Sequence, residues 1–340
     1  MDPLDLLEPR LRAGTAARLE QVEQRLRAVT GSSDPLAHRS GRHLLDAGGK
    51  RFRPLLTLLV ADAVGRDHDH RVAAACAVEL LHLSTLYHDD VIDGAETRRG
   101  VSSANARWGE RLAVFAGDRL TALAVAASAD AGDEVPALIA RTYRRLVEGE
   151  RREADLLGRI DGGVAGYLDV VDGKTASLVA TAARAGAAVA GASGLVRDGI
   201  EDWGRTVGVA FQLADDLLDL TATSEAAGKP VGRDLEVGVY TWPILDAIGT
   251  PSGPRLRTVL QGPPPHPRRA VEEAMEIVHA CGAVARAGRL VAHLLDRADG
   301  HLTVLPCGPA RDGLWALAHT LVPPAVTAHR PTRLPEAASV

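Results

Sequence analysis

Apolar residues in this 340-residue chain recur every three or four positions for most of its length, and long alternating runs of β-branched residues are absent. That pattern predicts an all-α protein. Helical periodicity runs over residues 4–29, 55–65, 71–93, 111–129, 136–157, 164–171, 175–190 and 198–222. It resumes over 269–299, with a break near Gly282, and over 309–322. "TGSSDP" after the first helix reads as a turn, and "GGKRFRP" at 48–54 as a loop or helix start, Pro54 being suited to a first helical turn. Residues 223–243 are punctuated by glycine and read as a loop, while residues 251–268 hold six prolines and read as a peripheral connector. Residues 1–322 are long enough to bury one large helical core, and the Pro-rich stretch 323–340 is expected to fray.

Composition sharpens the picture. The chain is 46% apolar but only 3% aromatic, so alanine, leucine and valine must fill the interior. A net charge of −5 with both signs dispersed gives no reason to expect nucleic acid. The three cysteines, Cys76, Cys281 and Cys307, are far apart and odd in number, which points to a reducing cytoplasm and away from zinc or a disulfide framework. The N-terminus is charged and amphipathic, unlike a signal peptide. The longest weakly polar run, 176–196, is mostly Ala and Gly and carries Arg184, so it reads as a packed interior helix, with no transmembrane span expected.

Two acid clusters carry the candidate chemistry. "LYHDDVIDGAETRRG" at 86–100 places Asp89, Asp90 and Asp93 together, and "LADDLLDLT" at 213–221 repeats the spacing with Asp215, Asp216 and Asp219. In a helix, positions i and i+4 share a face, so Asp89 points with Asp93 and Asp215 with Asp219. Two such helix ends facing each other would make a cleft lined by up to six carboxylates. Oxygen ligands without His or Cys suit Mg²⁺, which keeps waters and binds few carboxylates plus substrate phosphates. His88, at i−1, lies off the shared face and reads as a packing residue. A solvated acidic helix end is the plainer explanation, but acids at a helix C-terminus oppose the macrodipole, and here the arrangement occurs twice.

The lysines add a second signal. Of 39 basic residues only Lys50, Lys174 and Lys229 are lysine, and all three follow glycine. Lysine is a compact point charge, and a preceding glycine allows close approach, which suits a phosphate better than a solvent-exposed loop requires. With Arg53, Arg98 and Arg99 they would balance diphosphates bridged to the acids.

"GGKRFRP", "ELLHLSTLYHDDVIDGAETRRG", "GKTASL", "FQLADDLLDLT" and "GKPVGRDLEVGVYTWP" together resemble the trans-isoprenyl diphosphate synthase (polyprenyl synthetase) family, in order and spacing, over roughly residues 15–322. The resemblance implies one all-α bundle around a central cavity, usually a homodimer, with the two DDxxD motifs facing across a cleft. Carried over, Lys50, Arg53, His82 and Arg99 would hold isopentenyl diphosphate. Asp89, Asp93 and Asp215 would bind Mg²⁺, three ions in all with substrate, supported by Asp90 and Asp219. Arg98, Lys174, Thr175, Gln212 and Lys229 would grip an allylic diphosphate. Departure of diphosphate, attack by the isopentenyl double bond and loss of a proton would lengthen the chain by one C5 unit, and the product would leave through transient membrane contact. Two positions depart from the pattern: Val239 stands where a further lysine is common, and Gly94 where an acid is.

A class I terpene cyclase would use one DDxxD, a different motif on the second helix and more aromatic lining than the eleven Phe, Trp and Tyr here provide. A non-catalytic subunit of a heteromeric synthase would have lost the acids. Product length is read from the turn below Asp89, where Ser84 and Thr85 are small and Leu81, Val78 and Ala77 lie deeper, opposite "GDRLTALAVAAS". This argues for C20 or longer, with C30–C50 favoured.

Overall fold

In a computed structural model the described residues are 3–65, 70–221, 231–322 and 326. Local sequence sets where helices begin. Asp34 accepts the backbone N–H groups of Leu36 at 2.7 Å and Ala37 at 3.1 Å, and Pro35 occupies the first turn, which together start α2 (Pro35–Asp46). This helix is additional to those the periodicity predicts, and the Asp-Pro pair is its signal. The long predicted helices form within a few residues of expectation: α1 (Pro9–Val29), α3 (Phe52–Val64), α4 (His70–Ile92), and, after the short α5 (Ala104–Trp108), α6 (Glu110–Ala129), α7 (Val135–Leu156) and α8 (Gly163–Val171). A π-helical turn, Asp172–Ala176, joins α8 to α9 (Ser177–Val189), and α10 (Gly194–Thr221) follows.

The expected loop at 223–243 and connector at 251–268 need correction. Their described parts contain α11 (Arg233–Val237), α12 (Trp242–Ile248) and α13 (Gly253–Val259), each too short for a visible period. Gly232 and Gly238 bracket α11 with φ of 76° and 86°, a left-handed backbone that glycine adopts at no steric cost. The last three helices are α14 (Arg268–Ala280), α15 (Ala283–His301) and α16 (Pro309–Leu321), with the predicted break at Gly282. The tail from 323 lies outside the described residues apart from 326.

Helix α9 is the centre of the bundle. It packs on α3 and α4 on one side and on α10 on the other. One apolar cluster gathers α1, α3, α4, α6, α7 and α9, and a second gathers α8, α10, α12, α14 and α15. Small residues let the helices approach: a Cβ on Gly204 would lie 2.9 Å from Ala180 Cα, and one on Gly208 2.6 Å from Ala176 Cα. Arg184, the charge in the weakly polar run, is satisfied by Glu134, Asp198 and Glu201, and the run forms the largely buried α9 as expected. The described helix long and apolar enough to cross a membrane is instead α6, 39% buried against its neighbours, with Val114, Phe115 and Val125 exposed along its other side.

Candidate active site

The first acid cluster closes α4. Asp93 N–H donates to the Asp89 carbonyl at 2.8 Å, so the two side chains stand one turn apart, Asp89 half-buried and Asp93 exposed. Asp90 turns inward and is fully buried, accepting from Arg98 Nε at 2.7 Å, while its Oδ2 has no partner. Burial pushes the Asp89 carboxyl up to about 7; Lys174 opposes this, and Glu150 and Asp93 add to it. His88 points away, its ring against Gly117 and its Nε2 3.3 Å from Asp118, in keeping with a packing residue. Gly94, with φ 59°, ends the helix in a left-handed turn, which explains glycine where an acid is common.

Beyond it, Thr97–Arg98 and Val101–Ser102 form a two-stranded antiparallel hairpin across Arg99-Gly100. Both turn residues have positive φ, 53° and 76°, the signature of a type I′ turn. The hairpin sends neighbouring arginines to different partners: Arg98 to Asp90, and Arg99 to the Leu44 carbonyl at 2.8 Å and to the Gly48 carbonyl. Arg51 at the start of α3 shares the left-handed backbone, and no other non-glycine described residue does. Its guanidinium is held by Glu23 and by the buried Glu79. Between Arg51 and Arg99 lies Gly49, where a Cβ would come within 2.9 Å of Arg99 Cζ and 3.0 Å of Arg51 Nη1, so a side chain would displace a guanidinium, on a backbone (φ 138°) that other residues rarely adopt. Arg53 has a buried Nε without a partner. Burial, then the charges of Arg53, Arg99, Arg51 and Arg98, holds His82 well below its ordinary range. The charges of four arginines therefore act together on one buried imidazole.

The π-turn connects the two acid clusters. Asp172 is tied by Arg145 from α7 and by Arg205 from α10. Lys174 Nζ lies 3.0 Å from Glu150 Oε2 and against Glu153. Burial alone would lower this ammonium, but Glu153 and Glu150 together raise it. Next in sequence, the Thr175 hydroxyl donates to Gln212 Oε1 at 2.8 Å, and Gln212 Nε2 donates to Asp216 Oδ1 at 3.0 Å. Asp216 is buried, also accepts from the Tyr167 hydroxyl, and is pushed by burial up to about 7. Asp215 is exposed, and Asp219 is half-buried, its Oδ2 accepting the Asp234 N–H at 3.2 Å.

Lys174 thus acts on the first cluster while Thr175 reaches the second through Gln212, and with Asp90 and Asp216 buried four of the six carboxylates stay at least partly open. In each motif the middle aspartate is inward and the outer two are at least partly open. Lys50 is exposed beside Arg51, Val239 N–H caps the Asp234 carbonyl at 2.8 Å, and Lys229 lies outside the described residues. Ser84 and Leu81 are fully buried, the Ser84 hydroxyl bonded to the Leu81 carbonyl, whereas Thr85, four residues before Asp89, is partly open. Thr85 is therefore the residue below Asp89 on its face, and Ser84 belongs to the packed side. Sequence reasoning missed Arg51, Glu79, Tyr167, Asp172, Glu150 and Glu153. Only the last two left a trace, an acid pair at i, i+3 four residues ahead of a gap in periodicity.

The polyprenyl synthetase family profile matches residues 34–278. Nonaprenyl diphosphate synthase of Mycobacterium tuberculosis is 39% identical over 319 residues, covering 92% of this chain and 94% of that protein. Short chain isoprenyl diphosphate synthase of Methanothermobacter thermautotrophicus is 33% identical over 305 residues, 88% of this chain and 94% of the other. Among solved structures, a polyprenyl synthase from Caulobacter crescentus, complexed with calcium and isoprenyl diphosphate, superposes with a TM-score of 0.85 at 34% identity, covering 92% and 96% of the two chains.

Proposed function

Because the chain belongs to the polyprenyl synthetase family, and is a prenyltransferase, we propose that it condenses isopentenyl diphosphate with an allylic diphosphate, head to tail and with Mg²⁺, releasing diphosphate. The observation that carries this reading is the group of arginines, Arg51, Arg53, Arg98 and Arg99, whose charges act on His82 about two turns of α4 before Asp89. A cationic pocket beside an anionic rim suits a diphosphate on each side of a reacting carbon.

The carboxylates fit a hard divalent ion. Burial disfavours the charged form of Asp89, and a bound cation would offset that cost. Among the described residues no three His, Cys, Asp or Glu side chains converge to enclose an ion alone, so its shell would be completed by water and phosphate, the habit of Mg²⁺. Asp89, Asp93 and Asp215 would hold the ions, three with substrate bound, with Asp90 and Asp219 in support. Mg²⁺ bound there supplies positive charge to the departing diphosphate.

The chain's own groups do the rest. Arg53, Arg99, Lys50 and His82 hold isopentenyl diphosphate, and the unpartnered Arg53 Nε is a donor awaiting an anion. Lys174, Thr175, Gln212, Lys229 and Arg98 hold the allylic diphosphate, and fixed donors aimed at the charge that develops there lower the barrier to ionisation. The isopentenyl double bond then attacks the allylic carbon, and released diphosphate takes the proton. The small Thr85 below Asp89 supports a product of C20 or longer, with C30–C50 favoured. The exposed apolar side of α6 supports a homodimer, and the three unpaired cysteines a cytoplasmic location with transient membrane contact for release. Incubation with Mg²⁺, an allylic diphosphate and isopentenyl diphosphate, followed by chromatography of dephosphorylated products, should give linear chains. Cyclic hydrocarbon, or unreacted substrates, would overturn the reading.

A further inference from the structure

Lysine 174 is held more firmly than a phosphate ligand requires. Glu150 and Glu153 lie three residues apart on α7, so both carboxylates project to one side and meet the same ammonium. The backbone beneath is also fixed: a Cβ on Gly149 would lie 2.7 Å from Lys174 N and 2.9 Å from Gly173 C. Asp172 is tied on two sides by Arg145 and Arg205, and Thr175 by Gln212. A π-turn, a form frequent at functional sites, is here pinned at four successive residues. Asp89 lies close enough to Lys174 to feel its charge. Without the two glutamates, the flexible lysine would be free to turn towards Asp89, one of the carboxylates assigned to the metal.

We propose that Glu150 and Glu153 are positioning residues for Lys174: they hold its ammonium off Asp89, leaving both available when an allylic diphosphate and its cations arrive. The inference rests on the reading above, in which Lys174 contacts that diphosphate. It adds two residues whose effect on the reaction runs through the lysine.

The test is a double-mutant cycle on the full chain, with Glu153→Gln, Glu150→Gln/Glu153→Gln and Lys174→Met, and with the glutamate changes repeated in the Lys174→Met background. Glu153 is 29% exposed, so its single variant should fold even where the double one does not. The glutamate variants should raise KM for the allylic diphosphate about tenfold while KM for isopentenyl diphosphate stays within about twofold, since the second site lies on other residues. In the Lys174→Met background they should change nothing further. Glu153→Asp, which keeps the charge, should recover most of the loss. An equal loss with and without Lys174, or a parallel rise of both KM values, would overturn the proposal. If Lys174→Met itself leaves allylic KM and kcat unchanged, the assignment of Lys174 and the proposal fall together. If Lys174→Met is damaging but the glutamate variants are silent, the proposal alone falls.

Discussion

At the scale of single residues, each DDxxD motif divides its labour. Asp90 and Asp216 face inward, one held by Arg98 and the other by Tyr167 and Gln212, while Asp89, Asp93, Asp215 and Asp219 remain at least partly open. Replacing Asp89 or Asp215 with alanine should abolish turnover yet leave the helical circular dichroism signal intact, because both side chains are at least partly open to solvent and neither fills the core. Near-normal turnover at saturating Mg²⁺ in either variant would contradict the two-cluster mechanism. His82 offers a pH test. Its pKa is depressed in the folded protein, so the folded state binds fewer protons there than the unfolded chain does. The stability it contributes is present above about pH 6.5 and lost as pH falls below it. Asp89 and Asp216, raised to about 7, act in the opposite sense, so the histidine is read as a difference. Between about pH 7 and about pH 5 the melting temperature of ligand-free wild type should fall relative to His82→Gln, and the difference should shrink with pyrophosphate bound, which would neutralise the arginines. The outward aspartates were legible because helix geometry dictates i, i+4. Glu79 and Tyr167 were not, because what makes them part of the site is contact across the fold, which their own neighbours in sequence do not encode.

At the scale of elements, the π-turn is the hinge between the two halves of the site. The periodicity ended one helix at 171 and began the next at 175, when the helix in fact continues through the gap with one residue accommodated in a wider turn. A hydrophobic pattern registers which face is apolar and is blind to a single added residue in a half-buried turn. The same limit applies to α11 and α13, where five and seven residues offer too few turns to show a period. Gly149→Ala tests how tightly this element is fixed. The added methyl would meet the backbone of Gly173 and Lys174, which cannot swing aside as a side chain can. It should cost about 1–3 kcal/mol in denaturant unfolding and reduce kcat/KM for the allylic substrate. Wild-type stability would show that α7 and the turn can separate freely.

At the scale of the whole molecule, α4 and α10, the helices that carry the acids, both pack against α9, so the bundle itself sets the spacing of the reacting groups. This much was legible: long helices, paired acid ends and a small-residue interior all follow from repeated local pattern. Side-chain rotation deep in the bundle was not, as Ser84 and Thr85 illustrate. Adjacent on α4 and alike in size, they differ by one step of helix rotation, which puts Ser84 in close packing and leaves Thr85 on the open face with Asp89. Thr85→Phe should therefore shift the product distribution towards shorter chains while initiation continues, as read by chromatography of dephosphorylated products. An unchanged distribution with activity retained would mean that the growing chain follows another wall.

The hairpin turn at Arg99 carries an implication for how this protein can be improved. Arginine in a left-handed backbone is strained, and glycine would relieve it. Selection for heat resistance alone would accordingly favour Arg99→Gly at the turn, although the change removes a guanidinium that bonds the Leu44 carbonyl. The expected variant melts within a few degrees of the parent and has lost most of its affinity for isopentenyl diphosphate. Arg51 shares the backbone but would respond otherwise, since its removal strands the buried Glu79. A directed-evolution campaign scored on melting temperature would accept the change at position 99, and only an activity screen would reveal what had been discarded.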